Sequence, residues 1–221
     1  MPRQAAVANT LSRRPGRPRS ERARKAVIRS TLALLERVGF NELSIESVAA
    51  RAGVGKATIY RWWPSKAELV IAAFVSAVEQ ELRFPSAGPV LESIHEQMKR
   101  WAPIFRSPLG QIVATVIGAG QSEPEILAAF RAHWVDPRRV EARKLLQRAI
   151  KKGEIRAELD PDMILDLLYG PLYLRLLLKH APLDEKFVDA VFKVVNLALS
   201  NCQRAAGVRG GQEAIMNGHD G

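Results

Sequence analysis

The chain has 221 residues, of which 47% are hydrophobic and 25% charged, and its formal net charge is +10. This composition is typical of folded globular proteins and unlike that of disordered or collagen-like chains. No stretch approaches the roughly 18 consecutive apolar residues of a membrane span, and the basic N-terminus lacks the apolar segment of a secretory signal. A single cysteine, Cys202, excludes an internal disulfide framework and agrees with a reducing compartment, so we expect a cytoplasmic protein without a membrane partner.

The excess positive charge lies in the first third of the chain. Residues 1–67 carry 14 Lys and Arg against 4 Asp and Glu, whereas the remaining residues carry 19 of each. Such a charge distribution attracts polyanions, because each phosphate that a cation neutralises releases condensed counterions. The pattern favours a nucleic-acid partner, and the alternative is a solvated basic tail.

Residues 1–19 are predicted to form a flexible basic arm, since they are rich in Ala, Arg and Pro. The segment Arg-Arg-Pro-Gly-Arg-Pro-Arg at residues 13–19 resembles the core of an AT-hook, in which arginines lie in a narrow minor groove. Under this hypothesis Arg17 and Arg19 contact DNA. The alternative, which the shortness of the motif favours, is a leader that binds phosphates without sequence preference.

The next segment, residues 20–67, indicates a helix-turn-helix domain. Apolar residues at helical spacing predict three short helices, at about residues 20–38, 45–52 and 55–62. Ser20 and Ser44 are candidate N-caps, and Gly39 ends the first helix. Gly53 permits the tight turn between the second and third helices, because glycine tolerates a left-handed backbone.

The third predicted helix has a face suited to a DNA groove. Ile59 and Trp63 lie four residues apart and are expected to face the core, which leaves small and polar side chains on the opposite side. The residues predicted to enter the groove are Lys56, Ala57, Thr58, Tyr60 and Arg61. Lysine and arginine bind phosphates or guanine edges, hydroxyl groups donate to phosphate oxygens, and methyl groups contact thymine.

The amino-acid sequence of this region closely resembles that of the DNA-binding domain of TetR-type repressors, over about residues 20–70. The resemblance rests on the sequence LSIESVAARAGVGKATIYRWWPSKAEL, which spans residues 43–69. It implies that the third helix enters the major groove and that Lys66, at the start of the fourth helix, binds a phosphate. It also implies that Ser44 and Ser47 cap the second helix and reach the DNA backbone.

The pair Trp62-Trp63 departs from the His-Phe pair that is common in that family. We expect Trp63 to fill the core position. Trp62 has two possible roles, a contact with the DNA backbone or a partly buried packing position.

Beyond a break at residues 84–89 the chain is again predicted to be helical, which gives an all-α fold of about nine helices. A long helical stretch is interrupted near Pro137. Residues 68–206 form a larger helical domain, and residues 207–221 form a flexible tail. The resemblance implies that the larger domain binds an effector and forms a homodimer through its last two helices, whose apolar surface exceeds what one buried face requires.

Large apolar side chains with polar tips predict a ligand cavity in this second domain. The resemblance implies that the residues lining it are His95, Met98, Trp101, Phe105, Trp134, Tyr169 and Tyr173. For any single one of them, filling the core is the alternative role.

No catalytic or metal-binding constellation is recognisable in the sequence. The four histidines lack the spacing of paired metal ligands, and a Gly-x-Ser-x-Gly nucleophile motif is absent. We therefore expect no enzyme activity, no catalytic residue, no metal site and no cofactor.

The favoured hypothesis is a homodimeric regulator on the bacterial nucleoid. As a repressor, the usual role in this family, it binds an inverted-repeat operator in double-stranded DNA and is released by a small-molecule effector. Activation of transcription is the alternative direction. The rival functions are a general DNA-binding protein without an effector and a helical enzyme.

Overall fold

The part of the chain that the structure describes is helical throughout. The structure is a computed structural model that describes residues 17–85 and 88–199, and within these residues it contains ten α-helices and no strand. The helices are α1 (Arg17–Glu42), α2 (Ile45–Ala52), α3 (Lys56–Trp62), α4 (Lys66–Val78), α5 (Val90–Arg106), α6 (Pro108–Ala119), α7 (Pro124–Phe130), α8 (Asp136–Lys151), α9 (Pro161–Leu178) and α10 (Glu185–Leu199). A π-helical turn, Arg131–Val135, joins α7 to α8 into one continuous rod. The predicted all-α class with about nine helices is confirmed.

The first helix is longer than the sequence pattern predicts. It begins at Arg17, before the expected N-cap Ser20, so it overlaps the predicted arm. Gly39 has φ 73° and ψ −178°, a backbone conformation that side chains with a Cβ rarely adopt, and the helix is kinked there. Residues 1–16 and the predicted tail at 207–221 lie outside the described residues.

The corner between α2 and α3 follows from local capping. The Ser44 hydroxyl accepts a hydrogen bond from the Ser47 N–H at 3.1 Å, which begins α2 as predicted. Gly53 adopts a left-handed conformation with φ 67° and ψ 36°, and the next N–H, that of Val54, donates to the Ala49 carbonyl at 3.1 Å. This pattern is a Schellman motif, and it lets α3 leave at a sharp angle within three residues.

Helix α4 connects the two predicted domains. It is buried along most of its length and packs against α1 on one side and against α7 and the π-helical turn on the other. Phe74 of α4 is 1% exposed, and its ring meets the Trp134 ring edge-on, with the ring centroids 4.8 Å apart. The predicted domain boundary after residue 67 falls in the first turn of α4.

Helix α5 is the centre of the second domain. It packs against α6, α8, α9 and α10. The apolar stripe of α5 faces inward, whereas Pro103 lies on the exposed side of the helix. The stripe consists of Val90, Ile94, Met98, Trp101 and Phe105. None of the described helices combines the length and apolarity that a bilayer crossing requires.

Candidate nucleic-acid interface and candidate ligand cavity

Helix α3 has one buried and one exposed face. Ile59 is completely buried and Trp63 is 5% exposed, so these two side chains anchor the helix to the core. The opposite face carries Lys56, Ala57, Tyr60 and Arg61, all exposed, with Thr58 half-buried beside them. The five side chains predicted to contact a groove therefore lie around one surface of a short helix.

Glu46 of α2 lies beside the same surface and forms an ion pair with Lys56, the first residue of α3. Lys56 Nζ lies 2.9 Å from Glu46 Oε1, and both side chains are more than half exposed. The hydrogen bond from Lys56 lowers the pKa of the Glu46 carboxyl, and the same contact raises the pKa of Lys56. A phosphate placed at this surface would compete with Glu46 for the ammonium group.

Lys66 has a contact within the protein that the sequence pattern did not indicate. Its ammonium donates hydrogen bonds to the carbonyl oxygens of Phe40 at 3.1 Å and Asn41 at 3.3 Å, and it lies 4.7 Å from the centroid of the Phe40 ring. Lys66 thereby ties the end of α1 to the start of α4. Because an ammonium has three donors, one remains for a phosphate.

The remaining residues predicted to contact DNA lie beside this surface. The Ser47 hydroxyl donates to the Ser44 carbonyl at 2.8 Å, so its oxygen remains available only as an acceptor. Trp62 is half-buried and packs edge-on against Trp63, with the ring centroids 5.5 Å apart. The side chains of Arg17 and Arg19 lie outside the described residues.

A cavity of about 280 Å³ lies within the second domain, between α5, α8 and α9. Four of the seven residues predicted to line a ligand site are in its wall: Trp101, Trp134, Tyr169 and Tyr173. Trp101 is at the centre of this group, and its ring centroid lies 5.3 Å from that of Trp134, 6.4 Å from that of Tyr169 and 6.3 Å from that of Tyr173.

The other three predicted residues do not line this cavity. His95 stacks on Phe192 of α10, with ring centroids 4.1 Å apart, and so it faces α10. Met98 is fully buried in the core, and Phe105 packs against two of the aromatic rings near one end of the cavity. Met98 and Phe105 belong to the buried face of α5, whereas His95 lies outside it. The cavity borders only a part of that face.

The structure adds polar groups to the cavity wall that the sequence pattern did not single out. Gln97 is 2% exposed and accepts a hydrogen bond from the Tyr169 hydroxyl at 2.7 Å. The Arg138 guanidinium lies 4.8 Å from the Trp134 ring centroid and donates to the Leu82 carbonyl at 3.0 Å. Burial lowers the pKa of Arg138.

Ion pairs join α8 to α9 at the edge of the cavity. Arg139 lies 2.5 Å from Asp166 and 2.9 Å from Asp162, and Arg143 approaches Asp162 to 2.8 Å. The contacts with Arg143 and Arg139 lower the pKa of Asp162 below its ordinary value of 3.8. In the part of the chain that the structure describes, no group of three or more His, Cys, Asp or Glu side chains is arranged to hold a metal ion.

Two family sequence models match the two halves of this architecture. The model for bacterial regulatory proteins of the tetR family matches residues 27–73, which include α2, α3 and the start of α4. The model for the tetracyclin repressor-like C-terminal domain matches residues 84–195, which include the cavity.

Individual proteins resemble the chain over most of its length. It is 35% identical over 173 residues to the uncharacterized HTH-type transcriptional regulator YdeS of Bacillus subtilis, a match that covers 78% of this chain and 87% of that protein. It is 31% identical over 185 residues to the DNA-binding transcriptional repressor TetR of Mycobacteroides abscessus, covering 82% and 95% of the two chains. The crystal structure of the TetR family transcription regulator SCO0332 superimposes with a TM-score of 0.72 at 33% identity, covering 81% and 99% of the two chains.

Proposed function

Since this chain belongs to the TetR family of transcriptional regulators, which are DNA-binding proteins and not enzymes, we propose that it is a homodimeric repressor controlled by a small-molecule effector. The observation that carries the proposal is the exposed face of α3. Cationic, hydroxyl and methyl groups lie together there over the buried anchors Ile59 and Trp63. This helix belongs to the third of the chain that holds the whole excess of positive charge.

The second element of the proposal is dimerisation through α9 and α10. Among the residues that the structure describes, these two helices expose the apolar side chains Met163, Leu167, Leu174, Leu177, Leu178, Val194 and Leu197. Leu178, Val194 and Leu197 are 64%, 68% and 74% exposed, far above the level of core residues. A second copy of the chain would cover this surface, and its α3 would then enter the next major groove, about 34–36 Å away.

The third element is a connection between the cavity and α4. Trp134 lines the cavity and also contacts Phe74 of α4, and it belongs to the π-helical turn between α7 and α8. A ligand that displaces Trp134 would shift α4. Because α3 directly precedes α4 in the chain, α3 would move with it in each subunit. Effector binding would then favour a spacing of the two α3 helices that does not fit the operator.

In this proposal residues 20–67 bind DNA, residues 68–206 bind the effector and dimerise, and the protein acts on the nucleoid in the cytoplasm. The arm at residues 1–19 adds contacts of its own, either in the minor groove through Arg17 and Arg19 or with phosphates in general. The residues proposed to contact DNA are Lys56, Ala57, Thr58, Tyr60, Arg61 and Trp62 of α3, together with Ser44, Ser47 and Lys66.

The experiment that tests the proposal is selection of genomic DNA fragments by the purified full-length protein, followed by footprinting of the bound fragments. We expect protection of a discrete inverted repeat. A general DNA-binding protein would protect fragments without a common sequence, and that outcome would contradict the repressor function.

A further inference from the structure

We propose that the cavity between α5, α8 and α9 binds a small planar aromatic acid, that is, a ring system carrying one carboxylate. This inference rests on the proposed role of the cavity as the effector site, and it adds the chemical class of the effector. Three features of the cavity wall support it: an unpaired donor, an unpaired cation and a set of aromatic surfaces.

The unpaired donor is the indole N–H of Trp101. Trp101 is 4% exposed and lines the cavity, and its Nε1 has no hydrogen-bond partner in the described part of the chain. Buried polar groups in folded proteins are nearly always hydrogen-bonded, and the neighbouring Tyr169 hydroxyl follows that rule through Gln97. An acceptor on a bound molecule would satisfy the Trp101 N–H.

The unpaired cation is the Arg138 guanidinium. No Asp or Glu of the described residues lies within 4 Å of it, although Glu141 and Glu79 act on it from a greater distance. Its neighbour Arg139 is different, because Asp166 and Asp162 both pair with it. Arg138 therefore brings to the cavity wall a positive charge that no carboxylate of the described residues contacts, and this arrangement favours an anion over an ammonium ligand.

The phenols of the cavity do not neutralise this charge. Burial raises the pKa of Tyr169 and raises that of Tyr173 to about 12, against a smaller lowering by a hydrogen bond with Trp134. Both side chains are thus uncharged at neutral pH. They can donate or accept hydrogen bonds, but they provide no counter-ion for Arg138.

The aromatic side chains and the size of the cavity indicate that the part of the ligand beyond its carboxylate is a compact ring system. Trp101 meets the rings of Trp134, Tyr169 and Tyr173 edge-on or tilted, and all four side chains line the cavity, so a flat ring in the cavity would contact aromatic surface. The volume of about 280 Å³ is at the lower end of the range of roughly 300–1,000 Å³ for sites that enclose a drug-sized molecule. A compact ring system fits this volume, whereas a long acyl chain joined to a nucleotide does not.

The test is isothermal titration calorimetry of the full-length protein, without DNA, against three probes of one shape. The probes are 2-naphthoate, the uncharged 2-naphthamide and the cationic 2-naphthylmethylammonium. We expect 2-naphthoate to bind at least about tenfold more tightly than the amide, which is the factor expected for a charge-assisted hydrogen bond. We expect the ammonium probe to bind most weakly.

Variants connect this preference to the two residues. Arg138→Gln should remove the preference for the carboxylate over the amide, and Arg138→Lys should retain part of it. Arg148→Gln, which removes an exposed arginine of the same helix, should leave the preference unchanged. Trp101→Phe should weaken both the acid and the amide by about fivefold, because both probes carry an acceptor. Circular dichroism of each variant checks that it is folded.

Equal affinity for 2-naphthoate and 2-naphthamide, tighter binding of the ammonium probe, or no binding of any probe at millimolar concentration would overturn the proposed ligand class. A preference that persists in Arg138→Gln would overturn the role of Arg138. If that variant fails to fold, the comparison of probes on the natural chain still decides the ligand class. Since DNA is absent from the titration, a failure here is distinct from a failure of operator binding.

Discussion

Tyr60 allows the proposed DNA contact to be separated from folding. Its side chain is 47% exposed and makes no hydrogen bond with the described residues. Tyr60→Ala should weaken operator binding by about tenfold, the effect expected for loss of a base or phosphate contact, while the thermal midpoint and the oligomeric state stay unchanged. Fluorescence anisotropy with labelled operator measures the affinity, and Tyr60→Phe separates the hydroxyl from the ring. Unchanged affinity in Tyr60→Ala would contradict the placement of α3 in the groove.

Glu46 is expected to oppose DNA binding. It holds Lys56 in an exposed ion pair and adds negative charge to the proposed interface. Glu46→Gln should therefore raise operator affinity by about threefold at low salt, since exposed ion pairs are weak, and the gain should shrink as salt is added. Glu36→Gln makes the same charge change at another exposed position and should have a smaller effect. A loss of affinity in Glu46→Gln would show that this carboxylate supports the interface.

Individual residues show what the sequence could and could not indicate. The capping role of Ser44 and the left-handed turn at Gly53 were predictable, because each depends on a few neighbouring residues. The carbonyl contacts of Lys66 and the position of Arg138 beside Trp134 were not. Both depend on contacts between different helices, and in the sequence these cations look like ordinary solvent-exposed residues.

At the scale of helices, the contact between α8 and α9 should make stability depend on pH. Asp162 pairs with Arg139 and Arg143, and its pKa is lower in the folded chain than its ordinary value of 3.8. The folded state therefore binds fewer protons than the unfolded state, and the stabilisation is present above that value and lost as the pH falls through the lowered pKa.

The corresponding variant is Asp162→Asn. It should have a lower urea midpoint than the natural chain at pH 7, and the difference should close as the pH falls below about 4. Glu141→Gln, on the exposed side of α8, serves as the control, since Glu141 forms no ion pair with the described residues. A difference that is independent of pH would mean that Asp162 acts through packing or capping alone.

The π-helical turn shows how far an element can be predicted. Pro137 indicates an interruption in the long helical stretch, because proline lacks an N–H and collides with the carbonyl of the residue four positions earlier. The structure keeps the rod continuous and widens the turn just before Asp136 instead. The sequence locates the disturbance, but the packing of Trp134 against α4 and α5 decides its form.

At the scale of the whole molecule, the exposed apolar surface of α9 and α10 should control oligomeric state. Leu197 is 74% exposed, and a charge there would have to be buried in the proposed dimer. Leu197→Glu should raise the dimer dissociation constant by at least about tenfold, as measured by sedimentation velocity. Val38→Glu, a partly exposed apolar position on α1, should remain dimeric. A monomeric natural chain, or a dissociation constant of Leu197→Glu equal to that of the natural chain, would contradict this interface.

The overall class and the order of the elements were predictable, since helical periodicity extends over long stretches and depends little on tertiary contacts. The cavity was only partly predictable. An inward-facing stripe shows that a helix is buried, but Met98 meets other side chains and Trp101 meets an open space because of how α8 and α9 are placed around α5. The placement of α8 and α9 around α5 depends on contacts throughout the folded domain, which helical periodicity does not reveal.

Trp134 belongs at once to the cavity wall and to the contact with α4, and this shared position has a thermodynamic consequence. If occupancy of the cavity reduces operator affinity by some factor, operator DNA must reduce the affinity of the cavity for its ligand by the same factor. A promoter region with many operators would then act as a competitor for the inducer inside the cell. The concentration of inducer needed to start transcription would rise with the number of occupied operators, without any change in the protein.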